Sequence, residues 1–384
     1  MIKFNFLQEL SKKIQNKVWN KVRKAFLLNY SPKWLTSPEY AKKNKAKWHK
    51  VYEKMPNRRP TPVNYGSIVV DLQRKLDLEF PEAGLLELNN ALLYNSAGWV
   101  FTKEGYLLPD HSWFGRHVNT MGGVPRFLPK GRRLQGVCLS LASDHCGNYG
   151  HFLLDCISRL DLFNKAGFKL SEVDYIFCPK PPSKNAKRLF DKLGIPSKKC
   201  IWTFQNRASV IRVSTLLAPT FPGTRRNYPK WVPKFLQQEF LPSPTFSPSR
   251  RLYISRTGCR RNLVNEEAIN RLLIKYNFEI YNPTQHENPP EDFAEAAIIV
   301  GPHGSGLADL AFCQPGTKVL ELVPTDHVYP YFYTLSDAAD LEYGYLAGQS
   351  THERGQDAWG PSPYNFYVNE DELEAALVEI TSKT

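Results

Sequence analysis

The stretch Ile298–Val323, IIVGPHGSGLADLAFCQPGTKVLELV, constrains the fold more than any other part of the chain. An apolar run, Ile298-Ile299-Val300, leads into the turn Gly301-Pro302-His303-Gly304-Ser305-Gly306. Leu307, Leu310 and Ala311 then fall at helical spacing, and Pro315-Gly316 break that helix before a second β-branched run, Lys318 to Val323. Strand, glycine turn, helix, strand is the pattern of a parallel βαβ crossover. Glycines between a strand and a helix let backbone approach a ligand, and the first N–H groups of the helix favour an anion such as a diphosphate. A tight turn that needs only glycine's flexibility reads the same residues about equally well.

The remaining elements agree with an α/β class and a largely parallel sheet. Strands are expected at Ser67–Leu72, Gly136–Leu141, Tyr175–Cys178 and Ser209–Ala218, with helices at Asn148–Ala166 and Asn185–Leu193. The connection between the first two strands reads as polar and glycine-rich. Leu241–Ser249, LPSPTFSPS, has no periodicity and reads as a linker. Alternation then resumes, with strands Arg251–Ser255 and Phe278–Tyr281, helices Glu266–Tyr276 and Glu291–Ala297, and a closing helix Glu370–Ile380. The expected units are a basic extension (1–60), a first α/β domain (61–240), a linker (241–250) and a second α/β domain (251–384).

Charge is concentrated at one end of the chain. Residues 1–60 hold 13 Lys and 3 Arg against 3 Glu, which equals the net charge of +13 for all 384 residues. The remainder is balanced, so nothing in the globular part argues for nucleic acid. Leu7, Leu10, Ile14, Val18 and Val22 share one helical face, with Lys12, Lys13, Lys17, Lys21 and Lys24 on the other. Such a basic amphipathic helix suits an anionic membrane surface, and it equally suits docking on the protein itself or on a partner subunit. No apolar run is long enough to span a bilayer. Seven scattered cysteines without a C-x-x-C pair point to buried thiols in a reducing compartment, by default the cytoplasm.

Two further segments carry chemistry. In Asp144-His145-Cys146-Gly147-Asn148-Tyr149-Gly150-His151-Phe152-Leu153-Leu154-Asp155, His151 and Asp155 lie four apart on one helical face. The histidine can act as a base whose imidazolium its neighbour stabilises, the carboxylate can itself be the base, or the pair can merely support the helix. In RLYISRTGCRR, Arg256 leaves a strand toward the expected cleft, with Arg260 and Arg261 following. A guanidinium fork there matches phosphate oxygens. Tyr228, Trp231, Trp113 and Trp359 are candidates for stacking on sugar rings, or simply for the core.

Together these segments resemble glycosyltransferase family 61. GNYGHFLLDCISRL looks like that family's G-N-x-x-H-x-x-x-D helix, and YISRTGCRRNLVNEEAI like its Y-I-S-R segment. VGPHGSGLADLAFCQPGTKVLEL is similar to its G-x-H-G-[AS]-G-L…P-G…V-x-E run. All three occur in the expected order within residues 136–325.

The resemblance implies a GT-B-like architecture of two Rossmann-like domains facing across a cleft, with the acceptor and base in the first and the nucleotide sugar in the second. It implies an inverting transferase moving a sugar from a nucleotide sugar, expected to be a UDP-sugar, to a glycan or polysaccharide acceptor. The expected setting is capsular or other surface polysaccharide synthesis, in the cytoplasm or peripherally on the inner face of the membrane. Carried over, His303, Gly304, Ser305 and Gly306 hold the diphosphate, and Arg256 and Arg260 add charge, with Arg261 and Asn148 as further candidates. Glu321 accepts from ribose or sugar hydroxyls. Asp155 is the preferred base and His151 the second choice. No Asp-x-Asp motif occurs, so neither a metal nor another cofactor is expected. The alternative is a non-catalytic nucleotide-sugar or glycan-binding protein on the same fold, tethered by its basic N-terminus to a membrane or complex.

Overall fold

A computed structural model describes residues 33–73, 79–111, 131–143, 145–203, 210–223, 227–242, 247–326, 329–352 and 363–382. The expected N-terminal amphipathic helix, Trp113, Trp359 and most of the linker's centre lie outside them. The described chain is a mixed α/β protein built on two sheets.

The second sheet carries the glycine turn. Its parallel strands run in the order Glu279–Tyr281, Arg250–Ile254, Ala296–Pro302, Lys318–Pro324, Glu342–Ser350. Numbered along the chain, that order is 2-1-3-4-5, a doubly wound arrangement whose direction reverses between its first and third strands. Arg256 leaves the first of these strands and His303 the third, so both stand at the carboxyl ends flanking the reversal. Ligands bind at such a point because the two crossover connections diverge there and leave a crevice. Ile298, Ile299 and Val300 are fully buried, as a strand covered on both faces requires.

The first sheet is more mixed than the sequence pattern predicts. Val210–Pro219, Arg132–Ser140, Tyr175–Cys178 and Cys200–Trp202 are parallel neighbours. On the other side Val210–Pro219 pairs antiparallel with Ala83–Tyr94, the longest described strand. That strand lies within the stretch read as a polar connection. Asn89 and Asn90 interrupt its apolar pattern, but its two ends are buried on both faces, so tertiary cover overrides the local signal. The expected strand Ser67–Leu72 is instead a short helical turn, Val70–Gln73. Residues 33–60 pack largely with the first sheet: Trp48–Tyr52 pairs with Ala83–Tyr94, and Tyr40 and Ala41 are buried. Val63–Asn64 instead adds an edge strand beside Glu342–Ser350 in the second sheet.

One apolar cluster runs through both lobes, from Leu139, Phe152 and Phe163 to Leu307, Phe312 and Val323. Phe240 meets Phe312 edge-on, and Gln237 donates to the carbonyls of Ala311 and Cys313. The helix Trp231–Phe240 is thus bonded to the segment that follows the glycine turn. The seven cysteines are thiols, five of them buried and Cys259 exposed. Among the described residues no helix is long and apolar enough to cross a membrane.

Candidate active site

A cavity of about 330 Å³ opens where the two lobes meet. The first lobe lines it with His145, Asn148, Gly150, His151, Leu154 and Tyr228. Arg261, His303, Gly304 and Ser305 face them, and Tyr329, Tyr331 and Phe332 complete the wall. The size suits a small organic ligand, and the mixture of apolar rings with few polar groups is usual for one.

The expected helix Asn148–Ala166 forms in four pieces. Asn148 caps it, its side-chain oxygen accepting the Gly150 N–H at 2.9 Å. Tyr149–His151 is α-helical, Phe152–Cys156 widens into a π turn, Ile157–Arg159 tightens to 3₁₀, and Leu160–Lys165 returns to α. π turns inside helices are rare and concentrate at functional sites. Here the π turn holds Asp155 and begins directly after His151. His151 Nδ1 lies 2.6 Å from Asp155 Oδ2, and the buried Tyr228 hydroxyl donates to Asp155 Oδ1 at 2.8 Å. Both carboxylate oxygens are therefore engaged, and Asp155 is 1% exposed. It stands behind His151 instead of on the cavity wall, where the sequence reading puts it. The imidazole is the group presented to the cavity.

The second lobe repeats this relationship. His303 Nδ1 lies 2.5 Å from Glu321 Oε1, and the Tyr343 hydroxyl donates to Glu321 Oε2 at 2.5 Å. Glu321 is fully buried with both oxygens used, so it orients His303 and is not placed to take ribose or sugar hydroxyls. The strands explain the pairing: Gly301 and Pro302 sit level with Glu321 and Leu322 on the adjacent parallel strand. Burial, reinforced by the nearby Arg261 and Arg256 charges, pushes His303 below the ordinary imidazole range despite Glu321. His303 is therefore neutral near pH 7.

Arginines surround the turn. Arg256 lays its guanidinium directly over Gly304: a Cβ there would sit 1.6 Å from Nη1. Only glycine leaves that space. Arg256 Nη2 donates to the Arg260 carbonyl at 2.7 Å, while its buried Nε has no partner among the described residues. Burial holds the Arg256 guanidinium below its usual range. Arg261 is pushed down to about 10, first by burial and then by Arg256. It still carries its charge at neutral pH, so the wall is cationic. Arg260 contributes its carbonyl; its side chain is exposed and does not line the cavity.

Ser305–Phe312 is a 3₁₀ helix, tighter than the expected α-helix, and its bonding begins with Leu307 N–H to the Gly304 carbonyl. The N–H groups of Gly304, Ser305 and Gly306 precede that first bond, whereas the His303 N–H donates to the Leu322 carbonyl at 2.9 Å. This helix touches the His151 segment: a Cβ on Gly150 would meet Ala308 and Ser305 at 3.5 and 3.6 Å. Tyr149 donates to Asp309 Oδ1 at 2.5 Å across the same junction.

Of the residues singled out by sequence, His151, Asn148, His303, Gly304, Ser305 and Arg261 line one cavity, and Arg256 packs onto its turn. Asp155 and Glu321 stand one layer behind. Tyr228 lines the cavity, whereas Trp231 stacks on Tyr52 within the first lobe. Sequence reasoning missed Tyr329, Tyr331 and Phe332, although the aromatic density of VYPYFY was a usable sign. It gave no role to His145, whose ring lies 5.7 Å from that of His151, and it missed Tyr343, which no local pattern marks.

With this geometry in view, the likeness to known proteins falls on the same residues. Residues 149–320 match the model of the family described as Glycosyltransferase 61. That region holds His151, Asp155, Arg256, Arg261, His303 and the glycine turn. A relative is beta-1,2-xylosyltransferase RCN11 of Oryza sativa subsp. japonica, 41% identical over 49 residues. The match spans 13% of this chain and 9% of that protein.

Proposed function

We propose that the protein transfers a sugar from a nucleotide-sugar donor to a hydroxyl of a glycan acceptor, with inversion at the anomeric carbon. The observation that carries this reading is the opposition of two carboxylate-backed histidines, His151 and His303, across one cationic cavity. A GT-B-like division of labour follows, with the acceptor on the first lobe and the donor diphosphate at the reversal point of the second sheet. A UDP-sugar donor and a surface polysaccharide acceptor are the versions we would test first.

In the proposed reaction His151, held at Nδ1 by Asp155, takes the acceptor hydroxyl's proton on its other nitrogen. The acceptor oxygen bonds to the anomeric carbon as the bond from that carbon to the diphosphate oxygen breaks. The electron pair leaves with the diphosphate. Arg261, Arg256 and the N–H groups at Gly304–Gly306 meet the charge that develops there, and fixed donors in a partly dry site do this well because they need not reorganise. The base accounts for roughly 10²–10⁴ of the rate. We assign the charge stabilisation to these groups and propose that a chelator leaves the rate unchanged.

The test is a panel of nucleotide sugars screened by thermal shift and then by transfer to glycan acceptors. A donor that binds the native state raises Tm, and at about 100 Kd the gain is roughly 2.7 kcal/mol. Stabilisation followed by an inverted glycoside is the expected result. Binding without transfer to any acceptor would favour the non-catalytic alternative, and no stabilisation by any nucleotide sugar would sink the donor assignment.

A further inference from the structure

Arg59 belongs to no motif and lies far in sequence from every site residue, yet its side chain is 1% exposed at the junction of the two lobes. Nη2 donates to the Asn227 side-chain oxygen and, at 3.0 Å, to the Tyr228 carbonyl. Nη1 donates to the Thr334 carbonyl at 2.9 Å and to the Asp337 carboxylate. One planar guanidinium thus joins the Asn227–Tyr228 turn to the helix Tyr331–Ala338. Burying this charge is costly, and the acceptors on both sides, with Asp337, offset the cost.

Both joined segments end at the histidines. The Tyr228 hydroxyl holds Asp155, which holds His151 Nδ1. The helix opens with Tyr331 and Phe332, whose rings meet His151 and His303 edge-on at 5.7 and 5.1 Å. We infer that Arg59 is a positioning residue: it keeps the turn and the helix in the one placement where Asp155 is held and both imidazoles are walled by an aromatic ring. The inference rests on reading His151 as the base. Lysine cannot substitute, because a single ammonium lacks the rigid fork that reaches acceptors on two segments at once.

The test is Arg59→Lys in the full chain, read in three ways: kcat, donor Kd, and the downfield imidazole N–H proton resonance of the His151–Asp155 bond, assigned by its loss in His151→Gln. We expect donor Kd to stay within about threefold while kcat falls by roughly 30-fold or more, since small misplacements of a catalytic group cost up to about 10²-fold. The resonance should broaden or move upfield. A merely structural role would lower Tm and leave the resonance in place, and an unchanged resonance with wild-type kcat overturns the inference. Should Arg59→Lys fail to fold, Asp337→Asn loosens the same guanidinium from the less buried side and must move the same resonance. The resonance is read without substrate. A wild-type chain that transfers no sugar would therefore count against the transferase reading alone, and an unmoved resonance against Arg59 alone.

Discussion

Asp155 stands 2.6 Å behind His151 Nδ1 and does not line the cavity that His151 faces. A carboxylate so placed fixes the tautomer and orientation of the imidazole and stabilises its protonated form during proton transfer. Asp155→Asn keeps the shape but lets an amide favour the wrong tautomer. We expect kcat to fall by about 10²–10⁴ with donor Kd nearly unchanged, and His151→Ala to fall at least as far. Transfer assays with parallel binding titrations check this; a near wild-type kcat in Asp155→Asn would refute the orienting role.

His303 is held below its ordinary range first by burial and then by Arg261 and Arg256, so it is neutral near pH 7. A bound diphosphate supplies negative charge and raises the imidazole's pKa. Between the free and bound values, binding takes up a proton, so donor affinity falls as pH rises through the bound value. Calorimetry near pH 7.5 in two buffers of different ionisation enthalpy should show uptake that His303→Asn removes. No uptake would mean that His303 accepts from a hydroxyl instead. Arg261→Ala should weaken donor binding by about 10–100-fold, as loss of a charge-assisted hydrogen bond does.

Gly304→Ala places a methyl group where the Arg256 guanidinium lies. The guanidinium must move, and donor Kd should rise by about tenfold. In an Arg256→Ala background the same change should cost far less, because the clash has been removed. Binding titrations on the four proteins form a double-mutant cycle, and additive effects would contradict the geometry.

Asp309 is buried, mainly for that reason pushed up to about 7, and accepts from Tyr149 across the lobe junction. A carboxyl whose folded value is raised holds its proton longer in the folded state. The associated stability is full below about pH 4, the unfolded value, and is lost as pH rises through about 7. Asp309→Asn keeps an acceptor for Tyr149 and cannot ionise. It should raise Tm at pH 8, by an amount equivalent to as much as ~4 kcal/mol, and change little at pH 4. A variant melting with the wild-type pH profile would rule this out.

Much of the second lobe was legible because its signals are local. Ile298–Val323 shows its strand, turn, helix and strand in consecutive residues, and Arg256 leaves a strand that the pattern also marks. The first lobe was less legible. Ala83–Tyr94 carries Asn89-Asn90 at its centre, and only pairing on both sides makes a strand of it. The aromatic wall Tyr329–Phe332 lay outside the segments that carry the resemblance, and Arg59 and Tyr343 act through partners remote in sequence.

The chain's residue order alone determined that a glycine turn follows a buried parallel strand, that arginines leave the neighbouring strand, and that His151 and Asp155 share a helical face. Spacing along a helix or strand is enough for that. Which member of each pair faces the cavity was decided only by packing. Asp155 and Glu321 are carboxylates that any motif would put forward, but Tyr228 and Tyr343 take their second oxygens and the surrounding core covers them. The histidines are left at the surface of the cavity because burial and hydrogen bonding depend on neighbours that the linear order does not bring together.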